Sequence, residues 1–420
     1  MAAPPTPEQI AIVKSTAPVI KEHGRAITDA FYTNLLSVHP ELKNYFSLRN
    51  QQTGAQQLAL ANAVFAYAAY IDDLAKLSEA VERIAQKHAS LFIQPEHYPI
   101  VGKFLVEAFV QILGSAVTEQ VKDAWIAAYQ QLADIFIQRE QQLYREHGED
   151  WQRWRKFVIA DKQHDSEDVF HLCLRPADAL HVHLKFLAGQ YVSLQVPVPE
   201  ADGLLQSRQF SISSAPVESR DQLRVTVKRG STVLGASTHD VVQGKVPGLV
   251  SNILFERYSV GDEVELSPPR GVFSFDPEAV DPSVPVVLLS LGVGATPVVA
   301  ILDSILKSGH PARRVSYIHG ARHAGAVCFG EHIRSVAKGC DNVSSVLFLK
   351  NVKEGDEYTF QGRMDLNRLD GGAHLCLDDD KAEYFVCGPP EWMVQTRTWL
   401  TEQGVEVKRV HLELFGTGGI

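Results

Sequence analysis

In the stretch VERIAQKHASL, Val81, Ile84, Ala85 and His88 fall at i, i+3, i+4 and i+7. At helical period these positions share one face, so an imidazole stands on an otherwise apolar stripe. Such a residue is either a core histidine with a hydrogen-bond partner or a ligand to a metal or haem iron, and the stretch alone does not choose. A second candidate is VVLLSLGVGATPVVAIL, where a continuous apolar run leads into Gly292-Val293-Gly294-Ala295-Thr296-Pro297 and then into a helical pattern. Glycines let the main chain approach a pyrophosphate, the helix start supplies free N–H groups, and Pro297 suits a first helical turn. Outside this context a GxG pair is only a tight strand–helix turn. In Arg208-Gln209-Phe210-Ser211 an arginine and a serine flank an aromatic. That set could meet a phosphate and a flavin ring, or form an ordinary strand. Tyr384-Phe-Val-Cys387-Gly388-Pro389-Pro390 reads as a strand ending in a turn, either a buried thiol before a Gly-Pro corner or a nicotinamide contact.

The elements that must position these residues change character twice. Residues 7–146 read as helix after helix, seven or so in all, among them EQIAIVKSTAPVIKEHG with Thr6 placed to cap, ITDAFYTNLLSVHP, QTGAQQLALANAVFAYAAYIDDL, the His88 helix, PEHYPIVGKFLVEAFVQIL and EQVKDAWIAAYQQLADIFIQREQQLYREHG. Gly148 marks a helix stop and linker. Beyond Trp154 the period becomes two in RKFVIADKQ, VFHLCLRP, QYVSLQVPV, RQFSISSAP, LRVTVKRG and GDEVELSPP. Short alternating strands separated by Gly and Pro predict an antiparallel β barrel or sandwich. From about residue 283, PVVLLSL, RRVSYIHGAR, SSVLFL, AEYFVCGPP and VKRVHLELFG alternate with helical segments, which predicts a doubly wound α/β fold on a parallel sheet. The division expected is 1–150 all-α, 151–275 β barrel and 276–420 α/β.

Composition narrows the function classes. At 420 residues, with 45% apolar and 21% charged residues, the chain reads as a soluble multidomain protein. A net charge of −10 argues against a nucleic-acid partner. No apolar run of the roughly 18 residues a membrane span needs is expected, and MAAPPTPEQI lacks a secretory pattern. Cys173, Cys328, Cys340, Cys376 and Cys387 are scattered, with no CxxC spacing. A disulfide framework, a zinc site and a ferredoxin-type cluster are therefore not expected, and a reducing, cytoplasmic setting is.

The order of the motifs carries more than any one of them. Arg-x-aromatic-Ser, then GLVSN (Gly248 to Asn252), GVGATP and CGPP resembles the ferredoxin–NADP reductase family over residues 155–420. With a globin-like helical segment before it, the chain is identified as a member of the flavohaemoglobins, the nitric oxide dioxygenases. DAFYTNLLSVHPELKNYF, IAQKHASL, PEHYPIVG, DAWIAAYQQLADIFIQRE and HLELFG all look like that family's segments. The resemblance implies haem b, FAD and NAD(P)H as cofactors, NO and O2 as substrates, and a monomer. It implies His88 as the proximal iron ligand, with Glu140 accepting its ring N–H and Tyr98 donating to Glu140. A carboxylate behind a ligating histidine fixes the tautomer and raises its basicity. On the distal side it implies Tyr32 and Gln56 as hydrogen-bond donors toward bound O2, with Phe46 on the porphyrin and Lys87 as a further cofactor contact. A charge-assisted bond of this kind is worth roughly 1.5–3 kcal/mol. For FAD it implies Phe186, Arg208, Gln209, Phe210, Ser211, Gly248, Val250 and Ser251. For the nucleotide and the covering C-terminal segment it implies Gly292 to Pro297, Cys387, Gly388, Glu413, Leu414, Phe415, Gly416 and Thr417.

The chain departs from the family pattern at three places. Phe210 and Phe186 stand where tyrosines are usual, and Phe415-Gly-Thr-Gly-Gly-Ile replaces a glycine followed by proline. Flavin potential and hydride rate are the properties these changes touch. Two rival readings remain at this stage: a flavin-driven reductase acting on hydroperoxides, and an O2 or NO carrier or sensor. Arg322 and His323 are candidates for meeting a 2′-phosphate.

Overall fold

The structure, a computed structural model, describes residues 3–146, 151–178, 184–216, 221–233 and 245–416. The first helix opens with a capping box, in which the Thr6 hydroxyl accepts from Gln9 N–H and the Gln9 side chain accepts from Thr6 N–H. α1 then runs unbroken over Pro7–Val38, where the sequence pattern predicts two helices parted at Gly24. Gly24 serves contact rather than termination. A Cβ there would lie 3.1 Å from Ala61 Cβ, so its absence lets α1 close on α3 (Ala55–Tyr70). The reverse correction applies to the next segment, predicted as one helix. It divides at Gly54, whose left-handed φ of 75° ends α2 (Leu48–Thr53) before α3 begins. α4 (Ser78–Ser90), α5 (His97–Leu113) and α6 (Glu119–Glu146) complete the helical part. Its core joins Ile27, Phe31, Leu35, Phe104, Phe109 and Trp125.

By length and composition the stretch His97–Ala116 could cross a membrane, contrary to the expectation that no apolar run would reach that length. It is α5 with one further turn, it carries Lys103 and Glu107, and it packs Phe104, Leu105 and Phe109 into the helical core.

The six strands predicted from alternation are found: β1 (Arg155–Ser166), β2 (Val169–Pro176), β3 (Tyr191–Val198), β4 (Leu204–Ser211), β5 (Leu223–Lys228) and, after the short hairpin β6 (Ser231–Val233) and β7 (Lys245–Pro247) and helix α7 (Leu249–Arg257), β8 (Glu263–Leu266). They pair antiparallel in the order β4-β3-β8-β1-β2-β5, and a bridge between Ile212 and Val225 joins the two edges into a barrel. Phe157, Ile159, Leu172, Leu194 and Val225 fill it. The GLVSN segment is not only a turn: Gly248 caps α7.

The last part is a six-stranded parallel sheet: β9 (Val286–Leu291), α8 (Ala295–Leu306), β10 (Val315–Ala321), α9 (Gly330–Gly339), β11 (Val343–Leu349), β12 (Phe360–Gln361), β13 (Glu383–Cys387), α10 (Pro390–Glu402) and β14 (Val410–Glu413). The order is β12-β11-β10-β9-β13-β14. The chain steps outward from β9 to β12 and then returns to pair β13 on the other side of β9. The reversal between β9 and β13 is the switch point where open α/β sheets bind ligands, beyond the carboxyl ends of the strands. The fold class is thus an all-α globin-like part, an antiparallel barrel and a doubly wound α/β part.

Candidate functional site

Side chains from three helices surround the ring of His88. α4, α5 and α6 bring together His88, Tyr98 and Glu140. Glu140 Oε1 lies 2.8 Å from His88 Nδ1 and accepts from the Tyr98 hydroxyl at 2.6 Å, while that hydroxyl stands 3.1 Å from Nδ1. Glu140 is only 2% exposed, and the Tyr129 hydroxyl donates to the Tyr98 carbonyl at 2.7 Å, fixing the start of α5. Burial first, and the Glu140 carboxylate second, push the Tyr98 phenol far up, so it stays a donor. With Nδ1 facing a carboxylate, Nε2 is the nitrogen left to ligate. Among the described residues no group of three His, Cys, Asp or Glu side chains converges on a metal. An ion at His88 must therefore bring its other donors with it, as a porphyrin does.

Tyr32 of α1 is 4% exposed and meets Phe46 edge-on, ring centroids 5.2 Å apart. Burial pushes its phenol well up, while Gln56 of α3, close by, pulls the other way. Tyr32 lines an open cavity of about 450 Å³ with Asp29, Thr33, Leu36, Ser37, Lys43, Gln51 and Gln57. The three predicted distal residues are thus neighbours.

On the barrel side, Arg208 donates to the Ser207 carbonyl at 2.6 Å and to the Ser47 hydroxyl at 2.7 Å. Burial, with Arg49 beside it, holds Arg208 down to about 10, and burial, with Arg208 beside it, holds Lys87 down to about 8. Two desolvated cations so close fit a bound polyanion, whose charge would reverse both shifts. Ser211 Oγ is buried with no hydrogen-bond partner, another group suited to a ligand. Gln209 donates to Ser193 at 3.0 Å. Phe210 packs on the barrel core and Phe186 lies within it, 8% exposed. Val250 is also core, at 1% exposure, so only its main chain can reach a ligand. Gly248 and Ser251 form a tight corner with Gly230: Ser251 Oγ accepts from Gly230 N–H at 3.1 Å, and a Cβ on Gly248 would lie 2.7 Å from that oxygen.

At the switch point Gly292 takes φ 55°, and a Cβ on Gly294 would stand 2.1 Å from the Cys387 carbonyl oxygen. The two strand ends therefore touch main chain to main chain, leaving the α8 N-terminus facing the crevice. Ala295, Thr296 and Pro297 are buried in its first turn, Thr296 Oγ1 donates to the Val293 carbonyl at 3.0 Å, and Gly388 is packed against Trp392. Such a cradle, which a side chain would fill, fits a nucleotide pyrophosphate. Glu413 ends β14, half-buried, with its carboxyl raised to about 8 by burial while Arg83 opposes the shift. The thiol of Cys387 is raised well above its usual value, by burial first and then by Glu413. Leu414 packs on the sheet core, and Phe415 is 49% exposed beside Gly416. Thr417 lies outside the described residues. Arg322 and His323 face carboxylates: Arg322 Nη2 is 3.9 Å from both Glu167 and Asp168, and His323 Nε2 is 3.1 Å from Glu167.

The sequence reading missed Tyr191. Its half-buried ring lies near Ser90 of α4, and its phenol, pushed up chiefly by burial, feels Glu413 of the sheet and Arg270 of the barrel. Gly271, with φ 115°, makes room for it: a Cβ there would lie 3.0 Å from the ring. Its place in a barrel strand, two residues after Gly189, offered the only local signal.

Comparison with known proteins agrees with this geometry. Residues 29–136 match the globin family, 156–275 the oxidoreductase FAD-binding domain and 288–398 the oxidoreductase NAD-binding domain. The flavohemoprotein of Bordetella pertussis is 43% identical over 99% of both chains, and that of Rhizobium meliloti is 38% identical over 96% of both. The crystal structure of flavohemoglobin from Malassezia yamatoensis with bound FAD and heme superposes with a TM-score of 0.83 at 29% identity, covering 99% of this chain and all of that one. The FAD/NAD-binding domain of nitric oxide dioxygenase from Vibrio cholerae covers 62% of this chain and 98% of its own length, at 31% identity and a TM-score of 0.51. With relatives matched end to end across all three folds, this chain belongs to the flavohemoprotein family of oxidoreductases.

Proposed function

We propose that the chain is an NAD(P)H-dependent nitric oxide dioxygenase using haem b and FAD. Two NO and two O2 give two nitrate per NAD(P)H oxidised to NAD(P)+, with one proton released. When bound, flavin accepts a hydride and passes electrons singly, and haem holds O2 for NO. The rest falls to the chain's own residues. The α8 N-terminus and the Gly292–Gly294 turn hold the nucleotide, with Cys387 and Gly388 on the facing strand end. Arg208, Ser211 and the Gly248–Ser251 corner take the flavin cofactor, and Lys87 faces the same anionic region. Glu140 accepts the proton side of His88 and keeps Nε2 basic, with Tyr98 completing the relay. Tyr32, kept protonated by burial, and Gln56 are donors for a diatomic ligand that draws negative charge.

The observation that carries the reading is the pairing of two opposed sets within one chain: a carboxylate-backed histidine and a buried phenol–amide donor pair, fused to a two-part reductase. A simple carrier needs no such reductase. The test is NO consumption in air with NADH, with nitrate quantified. One nitrate per NO is expected. Rapid NADH oxidation giving H2O2 without nitrate would replace the dioxygenase with a reductase.

A further inference from the structure

The helical part and the barrel are joined by hydrogen bonds at Ser193, Arg270 and Gly271 and by a denser set from one strand. Gln206 of β4 is 1% exposed. Its Oε1 accepts from Leu48 N–H at 2.9 Å, and its Nε2 donates to the Lys43 carbonyl at 2.9 Å and the Phe46 carbonyl at 3.3 Å. The neighbouring Leu205 N–H donates to Asn44 Oδ1 at 2.8 Å, and Arg208, two residues on, donates to Ser47. One short strand segment therefore grips the whole turn from Lys43 to Leu48. That turn carries Phe46, the aromatic against Tyr32, while the strand carries Arg208, Gln209 and Phe210. Apart from Arg208 the grip is uncharged, and it is directional throughout, so it fixes geometry rather than merely adding attraction.

We propose that Gln206 is a positioning residue for electron transfer between the two prosthetic groups. It locks the turn bearing Phe46 to the strand bearing the flavin contacts, and so sets their separation and orientation. The inference rests on the functional reading above. Gln206 acts through the Leu48 N–H and the Phe46 carbonyl that it holds.

Gln206→Met keeps the side-chain volume and removes its three bonds across the seam. Stopped-flow mixing of the full chain with NADH, without O2 and under carbon monoxide, follows flavin bleaching and haem reduction separately. Flavin reduction is expected to stay within about twofold, and haem reduction to slow about tenfold, because even a small misplacement of reacting groups by a distant substitution is costly in rate. Hydrogen exchange at the Leu48 amide, which needs no turnover, is expected to accelerate. Should the variant not accumulate, Asn44→Ala removes a bond of the same seam from a less buried position, with an expected slowing of about two- to threefold. Unchanged haem reduction beside faster Leu48 exchange would overturn the proposal, as would an equal fall in both rates. A wild-type chain whose haem takes no electrons from NADH would overturn the functional reading instead.

Discussion

Around His88 the working contacts are made by side chains from three helices, whose partners lie 10 and 52 residues away in sequence. At the end of β9 they are made by main chain, where a glycine stands against a carbonyl and leaves no room for a Cβ. The first kind of site tolerates changes in backbone sequence but depends on three particular functional groups. The second tolerates many side chains but almost no added volume. The two should therefore fail differently, and each failure should stay on its own side of the molecule.

The largest effect is expected from His88→Ala, which removes the nitrogen proposed to ligate the haem iron. Haem should be lost on purification while flavin is retained, read from the Soret band and the flavin absorbance. A retained Soret band with unchanged ligand kinetics would remove His88 from the site. Gly294→Ala should do the opposite, leaving the Soret band intact. It should raise KM for NADH by about 10–100-fold, the reach of an overpacking cost of about 1–3 kcal/mol. A KM within twofold of wild type would mean the close approach to Cys387 is not needed for binding. Tyr32→Phe deletes one oxygen and leaves the packing with Phe46 nearly intact. O2 dissociation should rise about tenfold, for a donor worth roughly 1.5–3 kcal/mol, and CO dissociation should change less because CO carries less charge. Equal shifts for both gases would make Tyr32 a packing residue.

The smallest effect tests whether the third part is electrostatically tied to the other two. The Glu413 carboxyl is raised to about 8 by burial, so the folded chain holds this proton where the unfolded chain has released it. Its contribution to stability is complete below the ordinary carboxylate range and is lost as pH rises through about 8. Glu413→Gln lacks that loss. Its Tm relative to wild type should climb between about pH 5 and pH 8 and level off above, by about 2–4 °C in all. A flat difference would mean that Glu413 titrates normally.

The same contrast explains what was legible in the sequence. The nucleotide turn is local, so strand, GVGATP and helix could be read as one physical unit. The His88 relay is not local: periodicity placed His88 on an apolar face, but only the family resemblance brought Tyr98 and Glu140 to it. Helix boundaries failed where glycine has two uses. Gly24 permits a close helix crossing and Gly54 a left-handed stop, and the residue type alone does not separate them. Gln206 and Tyr191 were invisible for a related reason. A glutamine or tyrosine on an alternating strand looks ordinary until the surface it meets belongs to another part of the chain.

Tyr191 lies where three parts of the chain influence one phenol: Ser90 of the helical part, Arg270 of the barrel and Glu413 of β14. This has a consequence for biosynthesis. β14 leaves the ribosome after every other element described, and it takes its place beside β13 only then. A nascent chain that has folded its helices and barrel still lacks the final corner of this junction, and the nucleotide sheet lacks its last strand. Since domains fold as they emerge, the order of synthesis delays the completed reductase until the whole catalytic path is present.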